Sequence, residues 1–122
     1  MRIQKAFFVA IALALVAGCS NKSEPGVKSD YKSQWTTVSA NTKATTDAAK
    51  AVLASYSFMD VQASSTDVDG KATAKKADGT VITVSINKTD NGSQVSVDVG
   101  TLGDPSLGAE IAEKIRQKAE AK

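Results

Sequence analysis

The chain contains no histidine and a single cysteine, two prolines, and six aromatic residues of which one is tryptophan. Each scarcity excludes something. Without histidine, Ser-His-Asp and Cys-His catalysis and the usual zinc sites have no base or ligand to work with. With one cysteine, an internal disulfide and a Cys-x-x-Cys redox pair are both excluded by count. Six aromatics, two of them (Phe7 and Phe8) near the start, are too few for a sugar-stacking platform. With 15 Lys plus Arg against 13 Asp plus Glu, there is no basic stripe to hold a nucleic acid.

The one long apolar run lies at the start. Arg2 and Lys5 form a basic head, and every residue from Ala6 to Ala17 is apolar and uncharged. As a helix it reaches roughly 18 Å, short of the ~30 Å hydrocarbon core of a bilayer. A basic head, a short apolar stretch and small residues before a polar switch describe an export signal rather than a transmembrane span. The uncleaved anchor and the buried helix are the blander readings.

The residues closing this run, Leu15-Val16-Ala17-Gly18-Cys19, resemble the bacterial lipobox. That resemblance implies cleavage between Gly18 and Cys19, a diacylglyceryl group on the Cys19 thiol and an acyl chain on its amino group. It also accounts for the lone cysteine, since an exported thiol without a partner needs an explanation. One acyl chain anchors only reversibly, at about 0.8 kcal/mol per buried methylene, whereas three hold a protein on a bilayer. By the sorting pattern of such proteins, an Asp after the lipidated cysteine retains the chain in the inner membrane. Ser20 stands there instead, which points to the outer membrane, facing the periplasm. Once Arg2 and Lys5 leave with residues 1–18, the 15 basic residues fall to 13, against the same 13 acids. The excess basicity belongs to the signal and not to a binding surface.

Three segments follow: a signal at 1–18, a lipidated start with a flexible tether at 19–33, and one domain at 34–122. The stretch "SNKSEPGVKSDYKS", 20–33, holds little that could be buried and reads as a linker. The domain has enough large apolar side chains for one core. The spacing predicts a short strand over 34–40 and a helix over 41–56. That helix carries Ala48, Val52 and Tyr56 on one stripe beside Ala49 and Leu53, with Asn41 as its N-cap. Its threonines lower helix propensity and move its expected start toward Thr45.

Period-two alternation then predicts strands over 58–66, 70–76, 80–86 and 94–100, turned by Asp78-Gly79 as a two-residue hairpin and by Asp90-Asn91-Gly92. Ala72, Ala74, Ile82, Val84, Ile86, Val95, Val97 and Val99 fall on one face. Lys71, Thr73, Lys75, Thr83, Ser85, Ser96 and Asp98 fall on the other. A second helix over 105–120, capped by Asp104 with Pro105 in its first turn, presents Leu107, Ile111 and Ile115. That stripe reads as core packing. A membrane-lying helix is the sharper alternative, but the stripe is narrow and lacks an aromatic anchor. The expected fold is α+β: a small antiparallel sheet of about four to five strands with two helices packed on one face.

Three local patterns suggest chemistry and are better read as structure. Ser29-Asp30-Tyr31-Lys32 matches Ser-x-x-Lys but lies in the tether, without the helix and large fold that motif needs. Asp67-Val68-Asp69-Gly70 lacks the further oxygen ligands and the distant Glu of a calcium loop. Gly100-Thr101-Leu102-Gly103-Asp104 precedes a helix, where phosphates bind, but Asp104 puts a carboxylate at that end.

The stretch "DVDGKATAKKADGTVITVSI…QVSVDVGTLGDPSLGAEIAEKI" resembles a family of small bacterial lipoproteins catalogued as a domain of unknown function. The shared features are a Gly-led strand, an Asp-Gly hairpin, and Val-x-Val-Gly-x-x-Gly-Asp leading into the last helix. The resemblance covers roughly residues 35–118 and implies the lipobox anchor and the α+β fold, with no activity or catalytic residue. The family often has Arg where Asp98 stands, which alters one charge on the polar face. The functional expectation is a non-enzymatic, lipid-anchored module of the bacterial cell envelope, lipidated at Cys19, with no cofactor, metal or nucleic acid. It would be held on the membrane by its anchor and act through an envelope protein partner. The alternative is a binder of a small ligand or an envelope polymer such as peptidoglycan, through the polar sheet face.

Overall fold

The structure, a computed structural model, describes residues 26–30 and 32–121. Strand β1 (Lys28–Ser29) and strand β2 (Ser33–Val38) lead into helix α1 (Thr42–Ser55). Strands β3 (Met59–Ser65), β4 (Asp69–Lys75), β5 (Val81–Thr89) and β6 (Gly92–Val99) follow, and helix α2 (Pro105–Glu120) ends the fold. The six strands form one antiparallel sheet in the order β1-β2-β6-β5-β4-β3, one strand more than the upper end of the sequence expectation. The meander from β3 to β6 is as predicted. Strand β2 lies against β6, so α1 carries the chain across the sheet from one edge to the other.

Both helices cover the same face. Ile82, Val84, Ile86, Val95 and Val97 are fully buried, and so are Ala49 and Leu53 of α1 and Ile111, Ala112 and Ile115 of α2. The stripe on α2 is therefore core. No helix among the described residues is long and apolar enough to cross a membrane.

Three local expectations are corrected. Helix α1 starts at Thr42, not near Thr45, with Asn41 Oδ1 accepting from Ala44 N at 2.8 Å. All three of its threonines are buried and two are bonded: Thr42 Oγ1 donates to Thr66 O and Thr45 Oγ1 to Ala40 O, so tertiary contacts override weak propensity. The β4–β5 connection is not a two-residue turn. The last pair is Lys75 with Val81, and Gly79 N donates to Lys76 O. A two-residue type I′ turn needs φ > 0 at both central residues. Only Gly79 has it, at +93°, while Asp78 Oδ1 accepts from Thr80 N.

The third correction concerns the tether. Residues 26–30, expected to be linker, are part of the fold. Lys28 and Ser29 pair with Trp35 and Gln34, Val27 is buried, and Thr36 Oγ1 donates to Gly26 O at 2.8 Å. The fully buried Gln34 donates from Nε2 to Ser29 Oγ and Asp30 O, at 3.1 and 3.0 Å. A buried amide must find partners, and this one finds them in the supposed linker.

Candidate functional site

The face of the sheet away from the helices is open. Alternation places hydroxyls on it in rows that cross the strands. One row runs Ser33, Asp98, Thr83, Thr73, Gln62, and the next runs Lys28, Trp35, Ser96, Ser85, Lys71, Ser64. The residues expected on the polar side, from Lys71 to Asp98, all lie there, half-buried or exposed. Asp98, expected as an exposed charge, is half-buried and accepts a hydrogen bond from Ser33 Oγ, which ties β2 to β6.

The residue that composition did not place is Trp35. In β2 it is Gln34, Thr36 and Val38 that turn into the core, so the only tryptophan turns out onto the polar face, half-buried. Hydrophobicity alone would put it inside. The signal that locates it is period two counted back from Val38. Six aromatics in the whole chain make no platform, but one tryptophan among serines offers a single apolar, stacking-capable spot.

At one end of this face a cleft of about 630 Å³ opens between the β4–β5 connection and the loop from Gly100 to Asp104. Thr80, Thr83 and Asp98 line it with oxygens, Lys32 and Lys76 with cationic side chains, and Val81 with apolar surface. Gly100 and Gly103, at φ +69° and +89°, take left-handed conformations that fold the loop over this end. Leu102 at its tip is 80% exposed. Asp104 Oδ1 accepts from Leu107 N at 3.2 Å, so the N-terminus of α2 is already filled by a carboxylate, as the sequence implied. The arrangement suits a ligand rich in hydroxyls or amides.

The other sequence patterns resolve as structure. Ser29 sits in β1, with its Oγ accepting from Gln34 rather than facing a lysine across a helical turn. Thr66 Oγ1 accepts from Val68 N and Asp69 N and donates to Asp69 Oδ1, making the 66–69 segment a tight turn. Among the described residues no group of three or more Cys, Asp or Glu is placed to hold a metal ion. Cys19, expected to carry the lipid, and residues 1–18, expected to be the signal, lie outside the described residues.

The strongest perturbation of a titratable group lies elsewhere, between the helices. Tyr56 Oη donates to Glu110 Oε2 at 2.8 Å, its ring stacks on Phe58 at 5.0 Å, and Lys114 Nζ lies 4.8 Å above it while pairing with Glu110. Burial, and then the Glu110 carboxylate, push the Tyr56 hydroxyl above the usual tyrosine range. The Tyr56 hydrogen bond, followed by Lys114, holds Glu110 below the usual carboxylate range. This cluster fastens α1 to α2 on the helical side, away from the open face.

The family model described as "Protein of unknown function (DUF3568)" matches residues 3–118. No curated protein matches the chain.

Proposed function

Since the chain belongs to the DUF3568 family, which carries no assigned activity, we propose from its own residues that it is a lipid-anchored binding module of the bacterial cell envelope. In this reading Cys19 carries the lipid, and the domain faces the periplasm from the outer membrane. It works by holding a partner protein on its polar sheet face, without catalysis. The observation that carries the binding role is the asymmetry of the sheet. One face is fully used by two helices, while the other leaves rows of Ser and Thr, the single tryptophan and a polar cleft open to solvent. An antiparallel sheet needs only one covered face to fold, so the composition of the other is free to serve recognition. The non-enzymatic role is supported by the lack of histidine and by the placement of the perturbed Tyr56–Glu110 pair in a structural contact.

A photo-reactive side chain at Ser96, on the open face, should capture a discrete envelope protein in living cells, and one at Lys50, on the exposed side of α1, should not. Capture at Lys50 alone would move the binding surface to the helices. The second reading, binding of peptidoglycan or another glycan, draws on Trp35 lying among hydroxyls on the open face. It predicts that the domain cosediments with cell-wall polymer and that Trp35→Ala releases it. Anchoring is checked by labelling with a fatty-acid probe. Wild type should be marked and Cys19→Ala should not, and equal labelling of both would sink the lipoprotein reading.

A further inference from the structure

We infer that two copies of the chain join edge to edge through β3, antiparallel about Ser64, so that their six-stranded sheets run on as one. The pairing depends neither on the anchor nor on the binding role proposed above. The sheet has two edges. Strand β1 is two residues long, and its Lys28 blunts that edge. Strand β3 is seven residues long and has neither lysine nor proline. A long edge without such guards is a template for another strand. The ladder sets which backbone groups it offers. Thr66 N donates to Asp69 O, so residues 66 and 69 form a hydrogen-bonded pair, and in an antiparallel ladder such pairs alternate. Gln62 and Ser64 therefore turn their backbone groups toward Thr73 and Lys71 of β4. Ala63 and Ser65 turn theirs outward, where no strand lies among the described residues.

Self-complementarity names the occupant. In a two-fold pair centred on Ser64, Ala63 of each copy lies opposite Ser65 of the other, and the outward N–H and C=O groups of both residues are bonded. The ends of the edge match as well. Between Met59 and Gln62, β3 holds one residue more than β4 does opposite it, which makes a bulge. With that residue set aside, Met59 stands four pairing positions before Ser64, and Val68, in the turn after β3, stands four after it. Met59 and Val68 are 49% and 59% exposed, large apolar side chains that one copy leaves uncovered. Antiparallel pairing brings the Met59 end of each copy to the Val68 end of the other, as an isologous interface requires of a single patch. Gln62 to Ser65 carry no charge, so no like charges oppose each other at the centre. Asp60 and Asp67 approach at the two ends, both exposed, where salt screens them. The two-fold axis stands upright on the sheet. Both helical layers therefore fall on one side, and the two open faces merge into one surface twice as wide.

Opposed residues of a non-hydrogen-bonded antiparallel pair have Cα atoms about 4.5 Å apart, within disulfide reach. The full chain carrying Ser64→Cys, mildly oxidised in intact cells, should form a dimer whose bond maps by mass to 64–64. Lys50→Cys, on the exposed side of α1, should form none. Two differently tagged copies of the full chain, expressed together and extracted in mild detergent, should co-purify. Ala63→Pro removes an outward N–H that the β4 ladder does not use. It should cut recovery of the second tag several-fold while circular dichroism shows the domain still folded. Where that variant fails to fold, Ser64→Lys, at an exposed position, sets two like charges face to face at the axis and should cut recovery as much. Absence of the 64–64 bond, or recovery unchanged in Ser64→Lys, would overturn the pairing. A bond from position 64 to a different protein, in place of a second copy, would overturn the choice of occupant.

Discussion

Gln34 and Thr46 mark where each helix crosses the sheet. A Cβ added at Gly108 of α2 would run into the Gln34 side chain, and one added at Gly70 of β4 would run into the Thr46 hydroxyl. Gln34 Oε1 and Thr46 Oγ1 are both buried without a hydrogen-bond partner among the described residues. Each crossing thus sets a glycine against a polar side chain at close range. Gly108→Ala tests the tighter of the two. The substitution gains about 1 kcal/mol of helix propensity but overpacks the contact, which typically costs about 1–3 kcal/mol, and the net change should be destabilising in chemical denaturation. In Gln34→Ala with Gly108→Ala the overlap disappears, so the double variant should be less damaged than the sum of the singles. Simple additivity would mean that the side chain and the helix do not meet. Nothing in the sequence pairs residue 34 with residue 108. A glycine inside a strong helical stripe is the only hint that something packs closely there.

Elements were legible where a period and a cap coincide. Helix α2 runs Pro105–Glu120 as its Asp-Pro start and its stripe predict, and Asp104→Ala should cost about 0.5–2 kcal/mol. An unchanged thermal midpoint would count against the cap. Strands β5 and β6 were legible because Val and Ile alternate with polar residues, and β4 because Ala alternates with Lys and Thr. Strand β1 was not, because two residues cannot show a period and their neighbours are linker-like. The start of α1 was misplaced because propensity counts threonines against a helix, whereas here the hydroxyls of Thr42 and Thr45 are bonded by the surrounding chain. The α1–α2 contact through Tyr56 and Glu110 has a pH signature. A carboxylate held below its ordinary pKa contributes stability that is present above the unfolded value and is lost as pH falls through the folded one. Wild type should therefore exceed Tyr56→Phe in stability at neutral pH, and the gap should narrow as pH drops through and below the ordinary glutamate range. A constant gap down to acid pH would show that the hydroxyl contributes by packing and not through ionised Glu110.

At the scale of the molecule, the arrangement turns on strand β2, which pairs with β6, a strand the chain reaches only after crossing over α1 and running through β3, β4 and β5. That pairing is non-local, and no local pattern announces it. What the sequence did announce was the two-faced character of the sheet, and with it the open surface on which the functional proposal rests. The position of Trp35 on that surface follows only once β2 is known to turn Gln34 and Thr36 inward. The same inward turn recruits residues 26–30, which gives the last prediction. A chain beginning at Ser20 and one beginning at Gly26 should unfold at the same denaturant midpoint, because Gly26 is the first of the described residues and is already bonded to the fold. A chain beginning at Ser33 should be less stable. It loses the buried Val27 side chain, whose burial alone is worth about 1.5–3 kcal/mol. It also strips Gln34 of Ser29 and Asp30, and a buried amide left unpaired costs about 1–3 kcal/mol unless water reaches it. In a domain with one small core and a total stability of about 5–15 kcal/mol, that loss should be plain. Equal midpoints for all three chains would return residues 26–30 to the tether.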